Sequence, residues 1–387
     1  MKTRHIIILL MVFSATATEV SGQNWFSRFY NDWLTKPRNV DSNYIYQQSM
    51  GFTPSLTSNF SRQRVQMTTI VDIDEFPVTD ASGNWVTDAN GDLVFAPLTI
   101  SVVDKMEEDP SSRVGVILGL GRLGAGWSVA VSPDSSQKSS TFLFSFRGNK
   151  WGLNINYLGF SQRAIEDCHW LPASLFGASD YVDTFASDNR VRRLSLDGYY
   201  VINTRRFAYP PGIAGNMVQI RSAGSWMLAG RYLQSAIRMN PDYTIAQFGM
   251  SQLSLGVGYS YTWVPFSRAP HYAESQSLPY TFFINGTIIP MLTLFNYLTI
   301  EPFDNLGGAL STSKKGSFCW PTPNILANAT VGFSWNRFYF GAQFNYNVFH
   351  FNTRNAISST GPLQETGIET MGVLYEWNIG LKFQACF

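Results

Sequence analysis

The chain has 387 residues, 45% of them hydrophobic and 15% aromatic but only 14% charged, with a formal net charge of +1. Soluble domains carry about 25% charged residues. The near-neutral balance excludes both a basic field for nucleic acid and an acidic one for cationic partners. A mean hydropathy near zero excludes a helical membrane protein.

In chain order, Lys2, Arg4 and His5 precede a short apolar run, 6–13, and Val20, Ser21 and Gly22 suit a cleavage site. Residues 1–22 therefore read as a signal peptide with maturation near Gln23. The run is too short to cross ~30 Å of hydrocarbon, and no later run approaches ~18 apolar residues. Residues 23–55 read as a periplasmic leader, anchored by Trp25, Phe26, Phe29, Tyr30 and Trp33, or as a plug. Residues 56–387 read as the main domain, with a polar insertion at 74–112. Inside that insertion Asp80–Thr87 is echoed by Asp88–Val94, with Gly83 and Gly91 at matching offsets. Asp-rich turns can bind calcium through oxygen ligands. Complete EF-hand spacing is absent here, and Ser-Gly and Asn-Gly suit hairpin turns.

From Val114 onward apolar residues alternate with small or polar ones. Phe142, Phe144 and Phe146 lead into a turn at Gly148-Asn149, and Trp151, Leu153, Ile155 and Tyr157 return from it. Leu194, Leu196, Gly198 and Tyr200 form another face. Leu253 to Trp263 alternates with Gln252 to Thr262, and Ile325 to Trp335 turns at Asn336-Arg337 into Phe338 to Val348. Such a period of two places one oily and one wet face on each strand. Segments of ~9 to 11 residues suffice for tilted strands to cross a bilayer. Polar connections at 161–191, 304–322 and 352–369 read as long outer loops, against short turns at the other end.

The last strand is the clearest. Every odd residue from Met371 to Phe387 is apolar, while Glu376, Asn378, Lys382 and Gln384 stand on the even face. Glu376 and Lys382, with Gln343 and Asn345 of the strand before, are expected to face a lumen. Asn378, Gly380, Phe383 and Phe387 follow the polar-x-Gly-x-x-hydrophobic pattern expected of an assembly signal read by the barrel-assembly machinery. Strand edges cannot be left open in lipid, so the sheet must close. The expected fold is all-β: a transmembrane antiparallel β-barrel of the outer-membrane type, about 12–14 strands. The expected location is the outer membrane, with the lipid bilayer as partner.

Chemistry is harder to find. Cys168 and Cys319 fall in expected loops and are free to pair, while Cys386 stands alone on the last strand; their spacing fits no zinc site. His169 and His271 lie in connections and His350 at the end of a strand, none placed beside a serine in mid-strand. Glu107 and Glu108 point apart if extended. No catalytic, cofactor or metal site is assigned, and no cofactor is expected.

Arg147-Gly148-Asn149-Lys150-Trp151-Gly152-Leu153, Gly198–Asn203 with Arg206–Tyr209, Gln219–Ser225 and Gly256–Val264 resemble the outer-membrane barrel family known as domain of unknown function 4421. The resemblance is closest over 110–264. The stretches 72–92 and 265–277 depart from the pattern. It implies fold and location and is silent on activity. The expected role is structural, or passive passage and binding. An outer-membrane hydrolase acting on lipid or peptide, or an accessory subunit of an envelope complex, are the alternatives.

Overall fold

The computed structural model describes residues 39–47, 51–80, 82, 84–107, 111–131, 139–148, 150–171, 181–209, 217–238, 245–268, 280–302, 315–318, 321–358 and 366–386. The expected signal peptide, the aromatic part of the leader, His271, Cys319 and Phe387 lie outside them.

Sixteen strands follow one another: β1 Ile45–Gln47, β2 Phe52–Pro77, β3 Phe95–Glu107, β4 Ser111–Leu120, β5 Leu123–Ala130, β6 Ser140–Arg147, β7 Trp151–Leu171 and β8 Tyr181–Val201, then β9 Met217–Gln219, β10 Ala223–Arg238, β11 Ile245–Arg268, β12 Tyr280–Pro302, β13 Lys315–Phe318, β14 Pro323–Trp335, β15 Phe338–Ser358 and β16 Thr366–Ala385. One sheet holds 14 of them; all but β3 and β13 form a closed antiparallel ring, leaving 12. Pairing of β16 with β2 and of β11 with β12 completes the circle. Closure leaves no edge in the hydrocarbon, and the fold is a transmembrane β-barrel of the outer-membrane type.

Alternation sets the two faces. On β16 the odd residues face out, Leu381 being 59% exposed, while Leu374 and Gln384 face in and are buried. Trp127, Trp226, Trp263, Trp335, Phe338 and Phe340 stand in the same exposed band. Such large apolar groups outside, over a polar interior, invert the burial of a soluble protein.

The wall is not uniform. The β5–β6 hairpin covers only its lower half; above it β3 pairs directly with β7, Thr99 opposite Leu171 through Glu107 opposite Arg163. The wall therefore loses two strands above the hairpin. Pro265 sits in a bulge of β11, between Trp263 and Phe266, where its missing N–H breaks no ladder bond. Pro290 in mid-β12 is met by Gly256 of β11, where an added Cβ would lie 2.5 Å from the Pro290 carbonyl oxygen.

Several expected loops are strand. Within 161–191, β7 continues to Leu171 and β8 begins at Tyr181, with Cys168 opposite Tyr181. Cys168 and His169 thus lie in β7 rather than in a loop. Likewise β15 runs to Ser358 and β16 starts at Thr366, so 352–369 is mostly wall, and β13 lies within 304–322. Strands beyond the lipid band face water on both sides and lose the oily alternation that marks them. His350 is inside β15, eight residues short of its end.

The turns Leu120–Leu123 and Trp335–Phe338 are tight, with positive φ at Gly121 and Asn336. At the tip of β2–β3 the echoed sequence forms two successive small hairpins. Asp80 accepts the N–H groups of Ser82 and Asn84, and Asp88 those of Asn90 and Asp92. These backbone bonds hold both exposed carboxyls below the ordinary carboxylate range. Both carboxylates thus serve their own turns.

Candidate functional site

Chemistry concentrates on the inner face of the wall. Glu376 of β16 lies between Gln63 of β2 and Asn347 of β15, its cross-strand neighbours. Its Oε1 accepts from Gln63 Nε2 at 3.4 Å and its Oε2 from Asn347 Nδ2 at 3.2 Å. The same Oε1 receives Arg193 Nη2 at 2.6 Å. Arg193 belongs to β8, which stands opposite β16 in the ring. A charge-assisted bond therefore crosses the lumen. It crosses where β6 begins its pairing with β7, the level at which the wall loses two strands and the span shortens. The side chains are only 6% and 15% exposed, so each charge depends on the other for compensation.

A second pair lies beside it. Asp197 of β8 and Arg231 of β10 are direct cross-strand partners and form a salt bridge. The Arg231 guanidinium also lies 5.2 Å from the ring centre of Phe349 on β15, a cation–π contact reaching across the interior. Asn345 Oδ1 accepts from Asn328 Nδ2 at 2.6 Å and Gln343 Nε2 at 2.9 Å.

Among the described residues, chambers of about 320 and 160 Å³ lie within this interior. Asp197, Arg231, Asn328 and Asn345 line the larger, Asn59, Arg113 and Thr141 the smaller. Arg193, Glu376 and Asn378 line both, so the strap stands between them.

The lower end of the larger chamber is closed by chain. β1 pairs with β9, and Tyr44 packs on a buried cluster of Val201, Phe207, Ala223 and Met227. Gln219, wholly buried, fastens this plug: its Nε2 donates to the carbonyls of Tyr44, Arg206 and Arg221, and its Oε1 accepts the Ala208 N–H. Tyr209, from the same connection, lines the larger chamber. This long connection lies at the end where short turns were expected, because it is filling rather than loop.

The structure thus brings Glu376, Gln343 and Asn345 to the larger chamber. Lys382 lies lower, its Nζ 6.0 Å from the Tyr339 ring centre, beside a small recess lined also by Arg147 and Gln384. The residues of the expected assembly signal divide between faces. Asn378 lines the chambers; Gly380 faces Asn59, whose Oδ1 an added Cβ would overlap; Phe383 faces outward, 4.9 Å from the Phe340 ring. Arg193, Asp197, Arg231 and Gln63 were not picked out from sequence. The signal was available, since an outward face through Leu194, Leu196 and Tyr200 leaves Arg193, Ser195, Asp197 and Tyr199 facing in.

His350 directs its Nδ1 to the Pro323 carbonyl oxygen at 2.7 Å, which fixes Nδ1 as the protonated nitrogen. Among the described residues no group of three or more His, Cys, Asp or Glu is placed to hold a metal ion.

A family model described as Domain of unknown function (DUF4421) matches residues 109–363. No curated protein matches the chain. Among solved structures, the beta domain of the Bordetella autotransporter BrkA is similar at 8% identity, covering 86% of this chain and 99% of that one, with a TM-score of 0.30. The outer membrane protease OmpT from Escherichia coli is similar at 8% identity, covering 85% and 96%, with a TM-score of 0.33.

Proposed function

The chain belongs to the DUF4421 family, and from that premise we propose that it is a closed, internally strapped barrel of the outer membrane. In this reading its lumen holds a small polar solute and passes it only when the strap lets go. The observation that carries the reading is the Arg193–Glu376 bond between opposite walls. An open water-filled pore has no need of a desolvated ion pair across its axis, and such pores are built from 16 to 18 strands.

The chamber is near the lower bound of ligand pockets, about 300 Å³. Its charges are two pairs, Arg193 with Glu376 and Arg231 with Asp197, together with Arg147, among several amides. That lining, with one cation in excess, suits a polar solute that is zwitterionic or carries a single negative charge.

The supporting biology follows from the sequence: export on a signal peptide removed near Gln23, insertion by the barrel-assembly machinery, and residence in the outer membrane. Fractionation with N-terminal sequencing tests it; mature protein retaining Met1 refutes that route. The lumen reading is tested by planar-bilayer conductance of the refolded full chain. Wild type is expected to show a closed baseline with rare, brief openings. A steady open-pore current from wild type overturns the reading.

A further inference from the structure

Outside the barrel, basic residues gather on one side just above the apolar band. On β2 the outward series Leu56 and Phe60 continues upward as Arg62 and Arg64. On β8 the outward series Tyr200, Leu196 and Leu194 continues as Arg192 and Arg190. Arg64, Arg190 and Arg192 are exposed and Arg62 is partly so. The β5–β6 hairpin ends at this level, where Gly159 opposite Arg192 pairs with Ser140, and from Glu107 opposite Arg163 upward β2, β3, β7 and β8 are consecutive neighbours. Three strand spacings, about 14 Å, separate β2 from β8 there.

The register adds to the patch. Lys105 of β3 stands opposite Gln66, and Arg238 of β10 opposite Arg190. A cross-strand position with like charges costs stability unless something neutralises it. Glu107 is the register partner of Arg64. Followed onward through the register, Arg238 stands opposite Gln247 and Gln247 opposite Glu301, so this run of basic positions ends at β10.

We propose that this face binds the phosphorylated head group of an anionic glycolipid in the leaflet at the upper end. The residues directly beneath are apolar, Leu56 and Phe60 exposed and Leu194 and Leu196 partly so, which fits acyl chains lying against them. The residues above them are guanidiniums, whose planar donor forks match phosphate oxygens two at a time. Apolar contact below and phosphate contact above, on one continuous surface, select a lipid over a free anion. The inference needs the barrel to sit in a bilayer, and it is independent of whether the lumen opens.

The test is lipid retention by the full chain refolded in detergent and read by native mass spectrometry. Probes are diphosphorylated lipid A, the same lipid with its phosphates removed, and inorganic phosphate. Wild type is expected to keep the diphosphorylated lipid and release the dephosphorylated one. The Arg64→Gln/Arg190→Gln/Arg192→Gln variant should hold it roughly a hundredfold less tightly, with its folded state checked by heat-modifiable mobility. Should that variant not fold, wild type decides alone: retention must fall as salt rises from about 50 mM to about 500 mM. Equal retention of both lipids, salt-independent retention, or displacement by inorganic phosphate at the lipid's own concentration overturns the proposal.

Discussion

Gly332 of β14 has an aromatic ring where a side chain would be. An added Cβ would overlap Cζ of Phe283, an inward residue of the neighbouring β12. Gly341 of β15 stands in the same relation to the Tyr339 ring, and the two rings stack 6.2 Å apart. Large inward residues are thus accommodated by glycines beside them, which fills a narrow barrel without crowding it. Gly286 of β12 offers the contrast: nothing lies within 4 Å of its added Cβ. Gly332→Ala should therefore cost about 1–3 kcal/mol of overpacking, while Gly286→Ala should be neutral or stabilising by up to about 1 kcal/mol. Guanidinium unfolding in micelles checks both, and equal midpoints for the two variants would contradict the packing account. The same scale explains why Glu376 is found so readily and its partner is not. Glu376 stands on the polar face of a strongly patterned strand, where the alternation alone marks it as inward. Arg193 is far from it in sequence, and only closure of the ring brings the two together.

At the scale of elements, β16 does two jobs. Its backbone closes the ring, pairing with β15 on one side and β2 on the other. Its outward Phe383 packs on Phe338 and Phe340, ring centres 6.0 and 4.9 Å away. We expect Asp in place of Phe383 to cost about 1 kcal/mol near the interface, and about 0.5–1.5 kcal/mol more for each of the two ring pairs it breaks. A fold of this size survives such a loss in purified form. Refolding into detergent should thus still give the heat-modifiable band, while the amount assembled in cells drops severalfold or more. Equal assembly in cells for variant and wild type would mean that β16 is not read as a signal. The elements also show what the sequence reveals and what it hides. Strands inside the lipid band are legible, because one face must be oily: Phe142–Phe146 with Trp151–Tyr157, and Leu253–Trp263, stand as read. The upper halves of β7, β8, β15 and β16 are not legible, because water on both faces removes the contrast. Nor does any local signal tell that β3 passes above the β5–β6 hairpin to pair with β7. That pairing spans a long stretch of chain and follows from ring closure.

At the scale of the whole molecule, the interior holds two barriers in series. The lower one is the plug, where β1 and β9 pair and Gln219 ties three carbonyls together. The upper one is the strap of Arg193 with Glu376, flanked by Arg231 with Asp197. Resistances in series add, so the more closed barrier governs the current. Removing one should change conductance little while the other stands. Glu376→Gln weakens the strap by leaving Arg193 with a neutral acceptor of the same shape. Ile45→Asp loosens the plug by forcing a charge into a buried cluster with Ala208 and Met217. Each single variant is expected to give slightly more frequent brief openings than wild type. The double variant should give sustained openings well beyond the sum of the two, because only then is the path clear from end to end. Bilayer recordings of the four proteins, each first shown to be folded by heat-modifiable mobility, decide the matter. Full opening in either single variant would show that one barrier alone keeps the lumen shut, and a double variant that stays closed would show that the wall itself fills it.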